Sequence, residues 1–133
     1  MQDLRSFAQG YTAAWCSQDP ARVAAFFAPQ GTLIINGGAP ASGRTAITRV
    51  AAEFINAFPD MKVMMDALEP AGGRTLYRWT LVGTHSGPGG TGNRVRISGY
   101  EDWLIGDDGL IAESFGHFDA DEYARQIARG ADG

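Results

Sequence analysis

The sequence is poor in the side chains on which several kinds of site depend. Cys16 is its only cysteine, which excludes an internal disulfide and a cluster of thiolate ligands. His85 and His117 are its only histidines and are not spaced as metal ligands, so no metal site is predicted. Lys62 is its only lysine, the net charge is −4, and the arginines are scattered. A nucleic-acid partner would need a basic stripe and is therefore not expected.

Long apolar runs are missing as well. No segment approaches the ~20 apolar residues of a membrane span, and residues 1–6 carry no apolar core of a secretory signal. We therefore expect a cytoplasmic protein with no membrane partner. The length of 133 residues predicts one domain, residues 1–133, with a core of its own. Glycine is abundant, with 18 residues clustered where turns between strands are expected.

Hydrophobic periodicity predicts helices first and mostly strands afterwards. The predicted helices cover residues 3–17, 20–27, 42–58 and 119–129. The predicted strands cover residues 32–35, 61–69, 74–85, 94–105 and 110–118. Helices gathered before a largely antiparallel sheet imply an α+β fold. We expect a cone-shaped, curved antiparallel sheet wrapped around the N-terminal helices, a cystatin-like α+β barrel with a cavity inside.

Alternation along the two longest predicted strands separates an apolar face from a polar one. Tyr77, Trp79 and His85 share the apolar face of the strand over 74–85. Glu101 stands beside Trp103 on the apolar face of the strand over 94–105. A carboxylate buried among apolar side chains has a raised pKa and is costly unless it is paired. Glu101 therefore indicates either a buried salt bridge to an arginine or the acid or base of a pocket.

The other motifs each have two interpretations. The glycines of 87–92 match the spacing of a dinucleotide-binding loop, but a strand follows them instead of a helix, which favours a hairpin loop. His85 and His117 lie at strand ends and fit a structural or a catalytic role. Tyr11, on the apolar stripe of the first helix, is either core or a hydroxyl of the pocket. Asp119 is either the N-cap of the last helix or a catalytic carboxylate.

Together these residues resemble the SnoaL-like polyketide cyclases of the nuclear transport factor 2-like superfamily. The resemblance spans essentially the whole chain and is carried by 58–60 (FPD), 83–87 (GTHSG), 91–92 (TG), 108–113 (DGLIAE), Asp119 and 126–127 (QI). It implies an α+β cone with a cofactor-free acid–base pocket, commonly in a homodimer. It also implies that His117 or Asp119 occupies the place of the carboxylate that moves a proton during ring closure.

The first helix is also similar to the start of ketosteroid isomerase. This similarity implies that Tyr11 takes the place of the oxyanion-hole tyrosine of that enzyme. Glu101 would then fall near the second oxyanion donor, which is a protonated acid. The general base of the isomerase would fall near Ile35 or Asn36, where this sequence has no carboxylate.

These observations lead to one functional expectation and one alternative. The expectation is a cofactor-independent cyclase, isomerase or dehydratase that acts α to a carbonyl on a small hydrophobic molecule, with no metal. Its candidate catalytic residues are Tyr11, His85, Glu101, His117 and Asp119. Its candidate ligand-binding residues are Trp15, Asn36, Phe54, Phe58, Trp79, Trp103 and Phe115. The alternative is a non-enzymatic small-molecule-binding or dimerisation module of the same fold.

Overall fold

The computed structural model describes residues 3–132 and contains the predicted helices and strands in their predicted order, with one additional short strand. The helices are α1 (Leu4–Cys16), α2 (Pro20–Ala24), α3 (Arg44–Ala57) and α4 (Ala120–Arg129). The strands are β1 (Phe27–Ile35), β2 (Ala41–Ser42), β3 (Lys62–Ala71), β4 (Arg74–Thr84), β5 (Arg94–Ile105) and β6 (Ile111–Phe118). No helix in the described part of the chain is long and apolar enough to cross a membrane.

The starts of the helices follow from local capping. Asp3, Asp19 and Asp119 each accept a hydrogen bond from a backbone N–H in the first turn of α1, α2 and α4 respectively. Such a bond satisfies one of the N–H groups that a helix start leaves without a partner. Gly43 precedes α3 with a φ of 86°, a conformation that favours glycine. The capping role that the sequence offered for Asp119 is therefore confirmed.

The strands form one curved, open sheet in the order β2-β1-β6-β5-β4-β3. All neighbouring strands are antiparallel except β1 and β6, which run parallel. A parallel pair needs a long connection, and here α3 and four strands lie between the two partners. The predicted α+β cone is confirmed, with the correction that its sheet contains one parallel pair.

The segment between α2 and β1 differs from the prediction. The helix ends at Ala24, and Phe27 already belongs to β1, so the prediction of a helix to Phe27 was wrong. Phe27 pairs with Ile111 of β6, and the register shifts before Thr32, where the predicted strand began. This early pairing depends on a strand more than 80 residues away, which local periodicity does not report. The two-residue strand β2 was not predicted.

The core fills the space between the inner face of the sheet and the helices. Its largest fully buried side chains include Tyr11 of α1, Phe27 of β1, Tyr77 of β4 and Trp103 of β5. Tyr77 and Trp103 stack with ring centroids 4.7 Å apart. The opposite, outer face of the sheet carries exposed side chains such as Leu104. The inner face is therefore the side on which a protected site can form.

A candidate active site in the cone

A cavity of about 70 Å³, partly open to solvent, lies between the inner face of the sheet and helices α1, α3 and α4. This volume is several times what one buried water needs. The exposed wall is almost entirely apolar, and much of it is aromatic: Trp15, Phe54, Trp79, Phe118 and Tyr123. Among the described residues, Glu101 is the only charged residue in the wall. Such a cavity fits a small apolar molecule.

The carboxyl of Glu101 is buried, and neutral donors hold it. Its Oε1 accepts hydrogen bonds from Ser114 Oγ at 2.8 Å, Trp103 Nε1 at 3.2 Å and the Tyr11 hydroxyl at 3.1 Å. Its Oε2 accepts one from the Tyr11 hydroxyl at 3.0 Å. Within residues 3–132, no arginine or lysine forms an ion pair with this carboxyl. The interpretation of Glu101 as half of a salt bridge to an arginine is therefore wrong.

Burial decides the protonation of this group. Removal from water raises the pKa of Glu101 above its ordinary value, and the three hydrogen bonds from Ser114, Trp103 and Tyr11 act in the opposite direction. Burial and the nearby Glu101 raise the pKa of Tyr11 well above its usual range, so its hydroxyl stays neutral. The site thus combines a carboxyl that is more readily protonated than usual with a neutral phenol beside it.

Hydrogen bonds and ring contacts behind the cavity fix the side chains around Glu101. The hydroxyl of Tyr77 is hydrogen-bonded to Thr12 Oγ1, and burial raises the pKa of this tyrosine. The Trp103 ring stacks on Tyr77 and meets Tyr11 edge to face, with centroids 5.2 Å apart. No buried side-chain nitrogen or oxygen in the described part of the chain lacks a hydrogen-bond partner. The carboxyl of Glu101 is therefore held by a fully satisfied network.

The structure brings together five of the residues that the sequence proposed for the site. Tyr11 and Glu101 are hydrogen-bonded to each other in the wall of the cavity, and Trp15, Phe54 and Trp79 also line it. Their positions follow from the periodicities of α1, α3, β4 and β5. The structure thereby brings an aromatic wall and the hydrogen-bonded pair Glu101–Tyr11 to one cavity.

His117 and Phe115 do not face the cavity. In β6 the side chains of Ser114 and Phe118, together with Gly116, face inward, so the residues between them face outward. His117 is exposed on the outer face, and Phe115 packs there under an arginine. The expectation that these two side chains belong to the pocket was therefore wrong. Both faces of β6 mix polar and apolar residues, so its alternation did not identify the inner one.

Three other candidates lie outside the cavity wall. His85 follows β4, where its Nδ1 accepts a hydrogen bond from the Thr91 backbone N–H at 3.0 Å. Asp119 is exposed and caps α4. Asn36 is exposed, and its Oδ1 accepts a hydrogen bond from the Phe118 N–H at 3.0 Å. The expected convergence of these side chains on the cavity is not observed, because each is used to fix a loop or a helix end.

Two predicted wall residues lie behind the wall. Phe58 and Trp103 are fully buried and do not line the cavity, where they were expected. Their aromatic rings pack the core, and Trp103 also donates to Glu101. Ser114 was missed by the sequence analysis, because a serine in a strand of unassigned face gives no signal. It is fully buried and makes the shortest hydrogen bond to Glu101.

The described residues contain no cluster of potential metal ligands. Between residues 3 and 132, no three His, Cys, Asp or Glu side chains are grouped closely enough to hold one. The site is thus defined by Glu101, its three donors and the apolar wall of the cavity. Its evident capacity is proton transfer or hydrogen bonding to an apolar ligand.

The fold defines the chain as an α+β cone of the ketosteroid isomerase-like, or nuclear transport factor 2-like, class. A protein with this fold from Catenulispora acidiphila DSM 44928, in complex with trimethylamine, is 18% identical with a TM-score of 0.80, covering 96% of this chain and 95% of its own. A candidate SnoaL-like polyketide cyclase from Jannaschia sp. CCS1 is 15% identical with a TM-score of 0.76, covering 97% and 99%.

The particular family follows from the sequence itself. The chain belongs to the SnoaL-like domain family, whose model matches residues 8–114. SalBIII, an epoxide hydrolase/cyclase-like enzyme in pyran ring formation of the polyether salinomycin, is 15% identical with a TM-score of 0.74, over 88% of this chain and 91% of its own. No curated protein matches the chain. At these identities the solved structures establish a shared fold, and the expected membership of the SnoaL-like family is confirmed by the family model.

Proposed function

We propose that the protein is a cofactor-independent acid–base enzyme, a cyclase, isomerase or dehydratase that acts next to a carbonyl group of a small apolar molecule. The observation that carries this proposal is the buried carboxyl of Glu101 at the wall of an apolar cavity, with no arginine or lysine of residues 3–132 paired to it. A structural carboxylate in a core is normally compensated by a cation. Glu101 is instead held by groups that leave it able to gain and lose a proton.

The chemistry would use Glu101 and Tyr11, two groups of the cavity wall with polar side chains. Glu101 exchanges a proton with the carbon or oxygen atoms next to the substrate carbonyl, and its raised pKa favours this role closer to neutral pH. The Tyr11 hydroxyl donates a hydrogen bond to the negative charge that develops on an enolate oxygen. The apolar wall excludes water and selects an apolar substrate, whose remaining atoms extend through the open side of the cavity.

Two structural neighbours are consistent with this class of reaction. The Jannaschia protein is described as a candidate polyketide cyclase, and SalBIII takes part in pyran ring formation. Both reactions close a ring in an organic molecule. Polyketide-like carbonyl compounds are therefore the first substrates to try.

The test is exchange of the hydrogens next to a carbonyl, followed by proton NMR in deuterated water with a panel of small apolar ketones and β-dicarbonyl compounds. We expect the protein to accelerate exchange for some of them and Glu101→Gln to abolish that acceleration. Glu113→Gln, which changes a carboxylate on the outer face of the sheet, is the matched control and should keep full activity. Equal exchange rates for wild type and Glu101→Gln would overturn the proposal, as would no exchange across the panel.

A second candidate function is capture of a small ammonium ion without catalysis. It is favoured by the lack of a cationic partner for Glu101 among residues 3–132, in a cavity whose wall presents several aromatic rings. Aromatic faces attract alkylammonium ions, and an ionised carboxylate would supply the opposite charge. The neighbour from Catenulispora acidiphila is a complex with trimethylamine.

Calorimetric titration with trimethylammonium chloride distinguishes this candidate from the enzyme. Capture predicts binding that strengthens as the pH rises and Glu101 ionises, and that weakens at least tenfold in Glu101→Gln. Glu113→Gln should bind like wild type. Binding that is absent, or that Glu101→Gln leaves intact, would dismiss this second candidate.

We also propose that the protein forms a homodimer through the outer face of its sheet. Leu104 of β5 and Met64 of β3 are 39% and 41% exposed on this face, and Val82 is half-buried on it. The resemblance to SnoaL-like proteins implies a homodimer, and a second copy would cover these apolar side chains. Sedimentation velocity should give twice the monomer mass for wild type and the monomer mass for Leu104→Arg. A wild-type protein that sediments as a monomer would contradict the proposal.

A further inference from the structure

The two oxygens of the Glu101 carboxyl have different surroundings. Oε1 accepts from three donors, the side chains of Ser114, Trp103 and Tyr11. Oε2 accepts from Tyr11 alone. A carboxyl oxygen that accepts hydrogen bonds from several donors has few lone-pair directions left for a proton of its own. The asymmetry therefore bears on which oxygen carries the proton when Glu101 is in the acid form.

The donor from Trp103 is the decisive one. An indole N–H can donate a hydrogen bond but cannot accept one, so Oε1 must be an acceptor in both protonation states of Glu101. The indole cannot easily turn away, because its ring is fully buried and stacked on Tyr77. Trp103 and Glu101 also lie on the same face of β5, two residues apart, which fixes their separation.

Ser114 strengthens this assignment from the neighbouring strand. It pairs directly with Trp103 across β5 and β6, and its hydroxyl donates to the same Oε1. The Tyr11 hydroxyl lies 3.1 Å from Oε1 and 3.0 Å from Oε2. It can therefore donate to Oε2 when Glu101 is ionised and turn to Oε1 when Oε2 is protonated, without moving its ring.

We propose that Trp103 and Ser114 keep Oε1 a permanent acceptor, so that Oε2 is the oxygen of Glu101 that carries and transfers the proton, with Ser114 as a positioning residue. This inference rests on the proposed function, since it names the reacting atom of the same carboxyl. In the acid step, the Oε2–H bond breaks as a bond forms between that hydrogen and the substrate, and Glu101 is left ionised. In the return step, Oε2 takes a proton from a carbon next to the carbonyl or from water.

Other titratable groups near Glu101 do not interfere with this assignment. Tyr11 and Tyr77 are the titratable side chains that line the cavity beside it in the described residues, apart from Tyr123 nearer the C-terminal helix. Burial raises the pKa of all three tyrosines, so they stay neutral where a carboxyl titrates. A change of protonation observed in this cavity near or below neutral pH is therefore that of Glu101.

Infrared difference spectroscopy tests the assignment without any substrate. In the acid form the C=O oxygen is Oε1, and its stretching frequency is lowered by the hydrogen bonds from Ser114 and Trp103. We expect Ser114→Ala and Trp103→Phe each to move this band to higher wavenumber. If Oε1 carried the proton, the C=O oxygen would be Oε2, and neither substitution would move the band. That result would overturn the inference.

Carbon-13 NMR of labelled glutamate carboxyls gives the second readout. Ser114 donates to Oε1 in both protonation states, but its hydrogen bond to the ionised carboxylate is the stronger one. Ser114→Ala should therefore raise the pKa of Glu101, with about a tenfold decrease in its acid dissociation constant. Thr80→Val, which removes a buried hydroxyl bonded to Asp66 and Ser98 on the other side of the sheet, is the matched control and should leave this pKa unchanged. An unchanged pKa in Ser114→Ala would contradict a positioning role.

The outcome can be separated from that of the proposed function. Both spectroscopic readouts concern the resting protein and need no turnover, whereas the proposed function stands or falls on hydrogen exchange in the substrate panel. If one of Ser114→Ala and Trp103→Phe fails to fold by circular dichroism, the other still decides the position of the proton. Conserved pH dependence in Ser114→Thr, which keeps the hydroxyl, would show that the hydroxyl and not the volume of the side chain is responsible.

Discussion

The two faces of the sheet hold their charged groups in different surroundings. On the outer face, Arg74 forms ion pairs with Asp102 at 2.7 Å and Glu113 at 2.9 Å, and all three side chains are in contact with solvent. On the inner face, Glu101 is 8% exposed and is held by two hydroxyls and an indole. The outer charges are compensated by opposite charges in water, and the inner one is compensated by neutral donors in the core.

The environment of a carboxyl group determines both its contribution to stability and its pKa. An ion pair between a carboxylate and an arginine at the surface adds little to stability. In a carboxyl held by neutral donors in a water-poor environment, burial disfavours the charged form and raises the pKa. The inner face therefore contains a carboxyl whose pKa is raised by burial, and the outer face contains carboxylates in ion pairs with an arginine.

Truncation of one carboxylate on each face gives the largest expected difference in stability. Glu101→Ala leaves the donors of Ser114, Trp103 and Tyr11 without a partner in the core, which should lower the free energy of unfolding by about 3 kcal/mol or more. Glu113→Ala on the outer face should cost less than about 1 kcal/mol, since its partner is accessible to water. Urea unfolding followed by circular dichroism measures both. Similar costs for the two variants would refute the distinction between the faces.

The next effect concerns the phenol that reaches both oxygens of Glu101. Tyr11→Phe removes a fully buried hydroxyl and should lower the free energy of unfolding by about 1–2 kcal/mol. Tyr100→Phe, which removes a hydroxyl of the outer face, should change it by less than about 0.5 kcal/mol. Loss of the Tyr11 donor should also raise the pKa of Glu101 further. A lowered pKa in Tyr11→Phe would mean that the phenol accepts from Glu101 and does not donate to it.

The pH dependence of stability tests the raised pKa directly. A carboxyl whose pKa is higher in the folded protein stabilises the fold fully below its ordinary value of 4.5, and this stabilisation is lost as the pH rises through the folded value. Glu101→Gln does not titrate, so its free energy of unfolding should improve relative to wild type across that range, by about 1.4 kcal/mol for each unit of raised pKa. A difference between Glu101→Gln and wild type that does not vary with pH would contradict the raised value.

The sequence allowed the inner carboxyl to be predicted because its strand alternates without interruption. In β5 the side chains flanking Glu101 on its face are apolar over the whole strand, so one polar residue stands out. The stripe of α1 likewise turned Tyr11 inward. These are periodicities within one element, and they depend on no distant partner. The cone followed from the order of elements and from the family resemblance.

The parts that could not be predicted depend on contacts between distant elements. The face of β6 is set by its pairing with β1 and β5, and its own alternation is ambiguous, so Ser114 was missed and Phe115 was misplaced. His85 and Asn36 lie near strand ends, where a site is plausible. Their side chains instead accept hydrogen bonds from backbone N–H groups of other segments. A hydrogen bond to a distant backbone leaves no periodic signal in a sequence.

The smallest expected effect belongs to His117, which resemblance places in the role of a proton carrier. Its side chain is exposed on the outer face, with its ring 4.9 Å from that of Tyr100 and the sheet between it and the cavity. His117→Ala should change the free energy of unfolding by no more than about 0.5 kcal/mol, because the imidazole is exposed to water in the folded protein. It should also leave hydrogen exchange in the substrate panel and the titration of Glu101 as in wild type, since proton transfer requires contact with the substrate. A large loss of exchange in His117→Ala, at unchanged stability, would mean that the reacting site lies on the outer face and that the cavity around Glu101 serves another purpose.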